Sequence, residues 1–231
     1  HPVMARPFVL YDKPQAPGPV VRGCPALVLA AGASSRLGQP KALVPIGPTT
    51  LVGLAVQRLQ QAGCTPIVVV TRQSLLFEIM TKAVDATVVV NKKPEQGRTG
   101  SVQCGIMSLM GDKGRMPRRV VIAPVDRPGW TSNDARLLMG QAATSTLAYE
   151  GRSGHPLLLH DPDIEAVLAA PPQTPLRDLI APQLVQGSCP HIGLNIDAPE
   201  DLDEGKNGFR RVCNKLRLFH KNVSVYLLAQ L

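Results

Sequence analysis

The sequence predicts a single α/β domain, Rossmann-like and three-layered, around a mostly parallel central sheet. Two observations predict it. Short runs that are apolar throughout recur along the chain, as strands buried on both faces require. Between them lie stretches whose apolar residues return at helical spacing, and strands that alternate with helices build right-handed βαβ units.

Residues 26–30 (A-L-V-L-A) are the first strand, which ends at Gly32 in a loop of small residues. Thr49 and Thr50 offer hydroxyl caps to a helix over Leu51–Ala62, whose Leu51, Leu54, Ala55, Leu59 and Ala62 form one stripe, and Gly63 ends it. Residues 66–70 form a second strand, followed by a helix over 74–83. Residues 87–90 form a third strand, followed by a helix over 101–110. A fourth strand at 119–123 leads to a helix over 133–143. Beyond 146–149 the pattern loosens. Residues 156–159 read as a strand reached through a turn, 164–170 as a short helix stopped by Pro171 and Pro172, and 176–181 as a helical turn. Ala198 opens a last helix.

The domain spans 24–204. Residues 1–23 hold Pro2, Pro7, Pro14, Pro17 and Pro19 and read as a surface leader, in part non-native because residues 1–3 precede Met4. Residues 205–231 form a basic and apolar extension to which the sequence assigns no role.

At 231 residues and 44% hydrophobic, the chain can bury a full core. No apolar run approaches the ~18 residues of a spanning helix, so no membrane partner is expected. The net charge of +8 is local: 205–231 carries Lys206, Arg210, Arg211, Lys215, Arg217 and Lys221 and no acid, which leaves the body near neutral. That distribution, with 3% aromatics, argues against nucleic acid. Five scattered cysteines without a C-x-x-C pair give neither a disulfide framework nor a zinc site. Reduced thiols and a cytoplasmic setting are expected.

Ligands of such sheets bind beyond the carboxyl ends of the strands. The loop after the first strand (29–41, L-A-A-G-A-S-S-R-L-G-Q-P-K) has Gly32, Gly38, Ser34 and Ser35 to turn backbone amides around an anion, and Arg36 and Lys41 to add charge. It is neither a Walker A loop nor a G-x-G-x-x-G fingerprint, since Gln39 and Pro40 follow Gly38, and Ala33 and Ser34 follow Gly32. After the third strand, Ser101 suits either a contact with a base edge or a helix cap. After the fourth, Asp126 is held between Pro124 and Pro128, as a rigid carboxylate or a turn residue. Asp197 reads as a ligand or a cap, and His155, before Pro156, as a contact or a turn residue.

The 29–41 string resembles the L-A-A-G-x-S-x-R-x-G-x-x-K signature of the MobA-like NTP transferase superfamily, which activates sugars, polyol phosphates and molybdopterin. Leu29, Ala30, Ala31, Gly32, Ser34, Arg36, Gly38 and Lys41 fill every fixed position. The resemblance implies the nucleotide-diphospho-sugar transferase type of fold. It also implies a loop, Ala33 and Ser35 included, that wraps a triphosphate, with Arg36 and Lys41 as catalytic cations. Arg98, Ser101, Val102 and Gly105 match an R-x-x-S-V-x-x-G spacing similar to cytidylyltransferases, which gives Gly97, Arg98 and Ser101 to the base. Asp126 would be catalytic and metal-binding. Asp197, in N-I-D-A-P-E-D-L, would be the second metal ligand. The G-H-P at 154–156 is similar to the molybdenum cofactor cytidylyltransferase branch and puts Arg152 and His155 on the acceptor side. That branch usually shows G-M-S-S-S-L where this chain has G-R-T-G-S-V at 97–102.

The resemblance thus implies a Mg²⁺-dependent nucleotidyltransferase, with CTP preferred over GTP. It would pass CMP to a phosphorylated acceptor, molybdopterin first, and release pyrophosphate, with a molybdenum enzyme receiving the product. The alternatives are a guanylyltransferase or a sugar- or polyol-phosphate nucleotidyltransferase of the same superfamily, or a non-catalytic nucleotide-binding chaperone or regulator.

Overall fold

The computed structural model describes residues 23–201 apart from 35, 113, 199 and 200. The C-terminal extension and all of the leader but Gly23 lie outside the described residues. The elements run β1 (Ala26–Leu29), β2 (Pro45–Ile46), β3 (Thr49–Thr50), α1 (Leu51–Ala62), β4 (Ile67–Thr71), α2 (Leu76–Lys82), β5 (Thr87–Val90) and α3 (Arg98–Met110). They continue with β6 (Arg119–Pro124), α4 (Ser132–Met139), β7 (Ser145–Tyr149), β8 (Arg152–His160), α5 (Asp161–Ala169), α6 (Leu176–Leu179) and β9 (Gln183–Gln186). Seven strands form one sheet in the order β5-β4-β1-β6-β8-β7-β9, and β8 alone among them is reversed. The mostly parallel sheet is as the apolar runs predict.

Strand order reverses beside β1. From β1 the chain moves outward through β4 to β5, and α3 then carries it back over the sheet to β6 on the far side of β1. The carboxyl ends of β1 and β6 therefore flank a crevice.

Alternation along the strands divides the core in two. Val28, Val69 and Val121 face α1 and α4, where Leu59, Leu138 and Trp130 are buried. Leu27, Val68, Val70 and Ile122 face Val102 and Ile106 of α3 and Ile164 and Val167 of α5. Three layers result. Gly105 sets how closely α3 lies on the sheet: a Cβ there would come within 2.8 Å of both Leu27 methyls.

Helix α1 has the predicted bounds. Thr50 Oγ1 accepts from the Gly53 amide, and Gly63, at φ 91°, closes the far end. A second tie holds α4: the buried Asp134 carboxylate accepts from the Thr131 amide and hydroxyl on one oxygen and from the Ser188 amide and hydroxyl on the other.

Several boundaries differ from the sequence reading, among them the start of α5, at Asp161 instead of 164. Helix α3 starts at Arg98 instead of 101, because Gly97, at φ 106°, serves as its cap. The helix expected over 74–83 opens as a 3-10 turn, Gln73–Leu75. Helix α4 stops at Met139 against Gly140. Strand β8 reaches back to Arg152 through a two-residue turn at Glu150 and Gly151 (φ 48° and 78°), which makes β7 and β8 a hairpin. The β2–β3 ribbon and β9 carry no apolar run to announce them: β9 is largely exposed. The helix expected from Ala198 runs into residues outside the described set.

No described helix is long and apolar enough to cross a membrane. Cys24, Cys64, Cys104 and Cys189 are free thiols, as expected. Burial pushes Cys64 up to about 12 and Cys24 and Cys189 up to about 11.

Candidate active site

A cleft of about 320 Å³ opens where the carboxyl ends of β1 and β6 meet the first turn of α3. That volume is at the lower end for small-molecule sites. Its wall includes Leu29, Ala30, Ala31, Gly32, Ala33, Ser34 and Lys41 from the first loop, Gly97, Arg98 and Ser101 from α3, and Asp126 after β6. Most of the residues singled out in the sequence therefore share one cavity. Arg36, Asp197, Arg152 and His155 are not part of that wall, and Ser35 lies outside the described residues.

The first loop is shaped by its own side chains. Ala30 donates to the Val70 carbonyl at 2.8 Å, which continues the β1–β4 pairing into the loop. Ser34 then turns into the left-handed region (φ 55°). Its Oγ accepts from the Lys41 amide at 3.0 Å, and its carbonyl from the Leu37 amide at 3.1 Å. Ser34 thus ties the middle of the loop to its far end. Leu37 is buried, which draws the loop's middle onto the protein.

The charged centre is compact. Lys41 Nζ donates to Asp197 Oδ1 and lies 3.7 Å from Asp126 Oδ2. Arg36 Nη1, largely exposed, is 3.9 Å from Asp197 Oδ2, which also accepts from Asn195 Nδ2 at 2.7 Å. The bonds from Lys41 and Asn195 hold Asp197 below the usual carboxylate range, against a small opposing effect of burial. The helix that Asp197 would cap runs into residues outside the described set. Asp201 accepts from the Asp197 and Ala198 amides at 2.8 Å each, and these bonds lower its own pKa.

Two carboxylates around one cation offer the hard oxygen donors that magnesium takes, with phosphates and water completing the shell. Among the described residues no cluster of three or more His, Cys, Asp or Glu exists. A metal at Asp126 and Asp197 would therefore depend on substrate oxygens. The donor set fits.

Ser101 does not cap α3. It sits one turn inside the helix, buried, and its Oγ accepts from Asn91 Nδ2 at 3.1 Å. Asn91 Oδ1 accepts from the Lys93 amide, and the Asn91 amide donates to Thr71. The sequence reading passed over Asn91, although a polar amide directly after V-V-V was a usable signal. It also passed over Arg127, which follows Asp126. Arg152 is exposed at the start of β8. His155 is half-buried further along the same strand. Burial first, then the Arg98 and Arg127 guanidiniums, push its pKa down to about 3, so its ring is neutral.

Residues 26–187 match the model of the MobA-like NTP transferase domain. The chain is 25% identical over 197 residues to the molybdenum cofactor cytidylyltransferase of Escherichia coli, covering 80% of this chain and 97% of that protein. It is 42% identical over 91 residues to the 2-C-methyl-D-erythritol 4-phosphate cytidylyltransferase of Rhodococcus opacus, 38% of each chain. In fold it is similar to Rv0371c of Mycobacterium tuberculosis: the TM-score is 0.67 at 21% identity, over 80% of this chain and 97% of that one.

Proposed function

The chain belongs to the MobA-like NTP transferase family and is a nucleotidyltransferase, and we propose that it moves CMP from CTP to a phosphorylated acceptor of the molybdopterin class, releasing pyrophosphate. One observation carries the reading. Lys41 stands between Asp126 and Asp197, beside a cleft walled by a loop of small residues. CTP is preferred because both relatives with assigned activities are cytidylyltransferases. The molybdopterin class is preferred because the likeness to the E. coli enzyme runs over 97% of that protein. The same reading has the reaction run in the cytoplasm and its product pass to a molybdenum enzyme.

Transfer requires an acceptor phosphate oxygen in line with the α-phosphorus and the departing pyrophosphate. The second ionisation of a phosphate monoester falls near ~6, so the nucleophile is already anionic and no side chain need act as a base. In this reading residues 29–34 line the triphosphate, with the amides beyond Ala30 turned toward it, and Lys41 and Arg36 offset the charge that grows on pyrophosphate. Gly97, Arg98 and Ser101 receive the base, with Ser101 fixed by Asn91. Asp126 and Asp197 hold magnesium, which when bound shields phosphate oxygens and polarises the α-phosphorus. Arg152 and His155 lie on the acceptor side.

A polyol phosphate is the rival acceptor, favoured by the 42% identity to the Rhodococcus opacus enzyme. Pyrophosphate release by the purified chain, measured for four NTPs with molybdenum cofactor or with methylerythritol phosphate, tests both. CTP with the cofactor is the expected pair. Release with methylerythritol phosphate alone selects the rival, and a preference for GTP overturns the base assignment.

A further inference from the structure

A second group of basic side chains lies beside the cleft, with buried nitrogens that no described residue satisfies. Strand β8 runs antiparallel to β6 with Leu157 opposite Ile122. His155 lies in β8 two residues before that pair, and Arg127 lies three residues past the end of β6, so both sit at the carboxyl rim of β6. His155 Nδ1 and Arg127 Nε are both buried and have no hydrogen-bond partner among the described residues. Arg127 is tethered through Nη1, which donates to the Gly193 carbonyl at 3.5 Å. Arg98 enters from the first turn of α3, and its charge and that of Arg127 both act on the His155 ring. Among the described residues, no carboxylate lies within ion-pair distance of Arg98 or Arg127. Buried nitrogens without a partner cost stability unless a ligand satisfies them.

We propose that Arg98, Arg127 and His155 form a second anion subsite that takes the phosphate monoester of the acceptor. The proposal rests on reading the adjoining cleft as the nucleotide site. A guanidinium presents paired donors to two phosphate oxygens. His155, held neutral, donates from Nδ1 in the tautomer that carries its proton there, without adding charge. Arg98 belongs to the cleft wall as well, so it joins the two subsites and keeps the acceptor oxygen close to the nucleotide phosphates.

Phenyl phosphate binding to the full chain, by calorimetry with and without CTP and Mg²⁺, tests this. The wild type should bind the monoester with CTP present. Arg127→Gln should weaken it at least tenfold and leave CTP affinity within twofold, while Arg177→Gln, a surface charge elsewhere, should change neither. If Arg127→Gln fails to fold by thermal melting, Arg127→Lys carries the test, with a threefold or greater loss expected because the fork is gone. Direct competition between phenyl phosphate and CTP would overturn the proposal, as would wild-type monoester affinity in whichever Arg127 variant folds. Monoester binding by a wild type that fails to bind CTP would support the subsite and sink the nucleotide reading of the cleft.

Discussion

The Ile196 amide donates to the Asp126 carbonyl at 2.8 Å. This bond joins two loops far apart in sequence and fixes the spacing of the carboxylates at 126 and 197, between which Lys41 stands. The charged centre is therefore built on backbone as well as on side chains.

Asp126→Ala should lower pyrophosphate release at least a thousandfold and leave the circular dichroism spectrum unchanged, because Asp126 takes part in the backbone bond through its carbonyl. EDTA should abolish wild-type release, and magnesium should restore it. Activity undiminished by EDTA would end the metal assignment.

Lys41→Met should reduce kcat about 10²- to 10³-fold, the loss typical of one preorganised charge-stabilising group. Its KM for the nucleotide should change less, since the effect grows as pyrophosphate departs. A rise in KM with kcat unchanged would make Lys41 a ground-state binder.

Asp134→Ala should destabilise the fold by about 3 kcal/mol, because the variant strands donors from Thr131 and Ser188 around a buried position. Denaturant unfolding reads this directly. The kinetics of the folded fraction should match the wild type, since Asp134 is remote from the charged centre in its bonding.

Asp197 has a folded pKa below its unfolded value, so its contribution to stability is present above the unfolded pKa and fades as pH falls through the folded one. Asp197→Asn should therefore flatten the acid limb of the melting-temperature profile below about pH 4. Partial exposure keeps the effect small. Identical acid limbs in the two proteins would contradict it.

The parallel half of the fold was legible because burial on both faces writes itself as unbroken apolar runs, as in Ala26–Leu29 and Ile67–Thr71, and because Thr50 and Gly63 mark helix ends by local chemistry. Strand β9 was not, since an exposed edge needs no such run. In the candidate site, the loop from Leu29 to Lys41 announced itself as a string of small and basic residues. The roles of Arg127 and Asn91 were not legible, even though Asn91 stands out as a polar amide after V-V-V. Their placement depends on β8 lying against β6 and on α3 starting at Arg98, relations that no single segment contains. Gly105 was read within a nucleotide motif, yet its lack of a side chain is demanded by Leu27 beneath it.

The reversed strand also has a meaning for how such a protein can diversify. Because β8 alone opposes the others, the β7–β8 turn emerges at the same rim as the ends of β1 and β6. That turn is two residues long and exposed, and the strand leaving it carries Arg152 and His155. A hairpin can be lengthened or exchanged without disturbing the strands that hold the other wall. On the proposed assignment of Arg152 and His155 to the acceptor, transplanting residues 149–156 between relatives should move acceptor preference while nucleotide choice stays with the recipient.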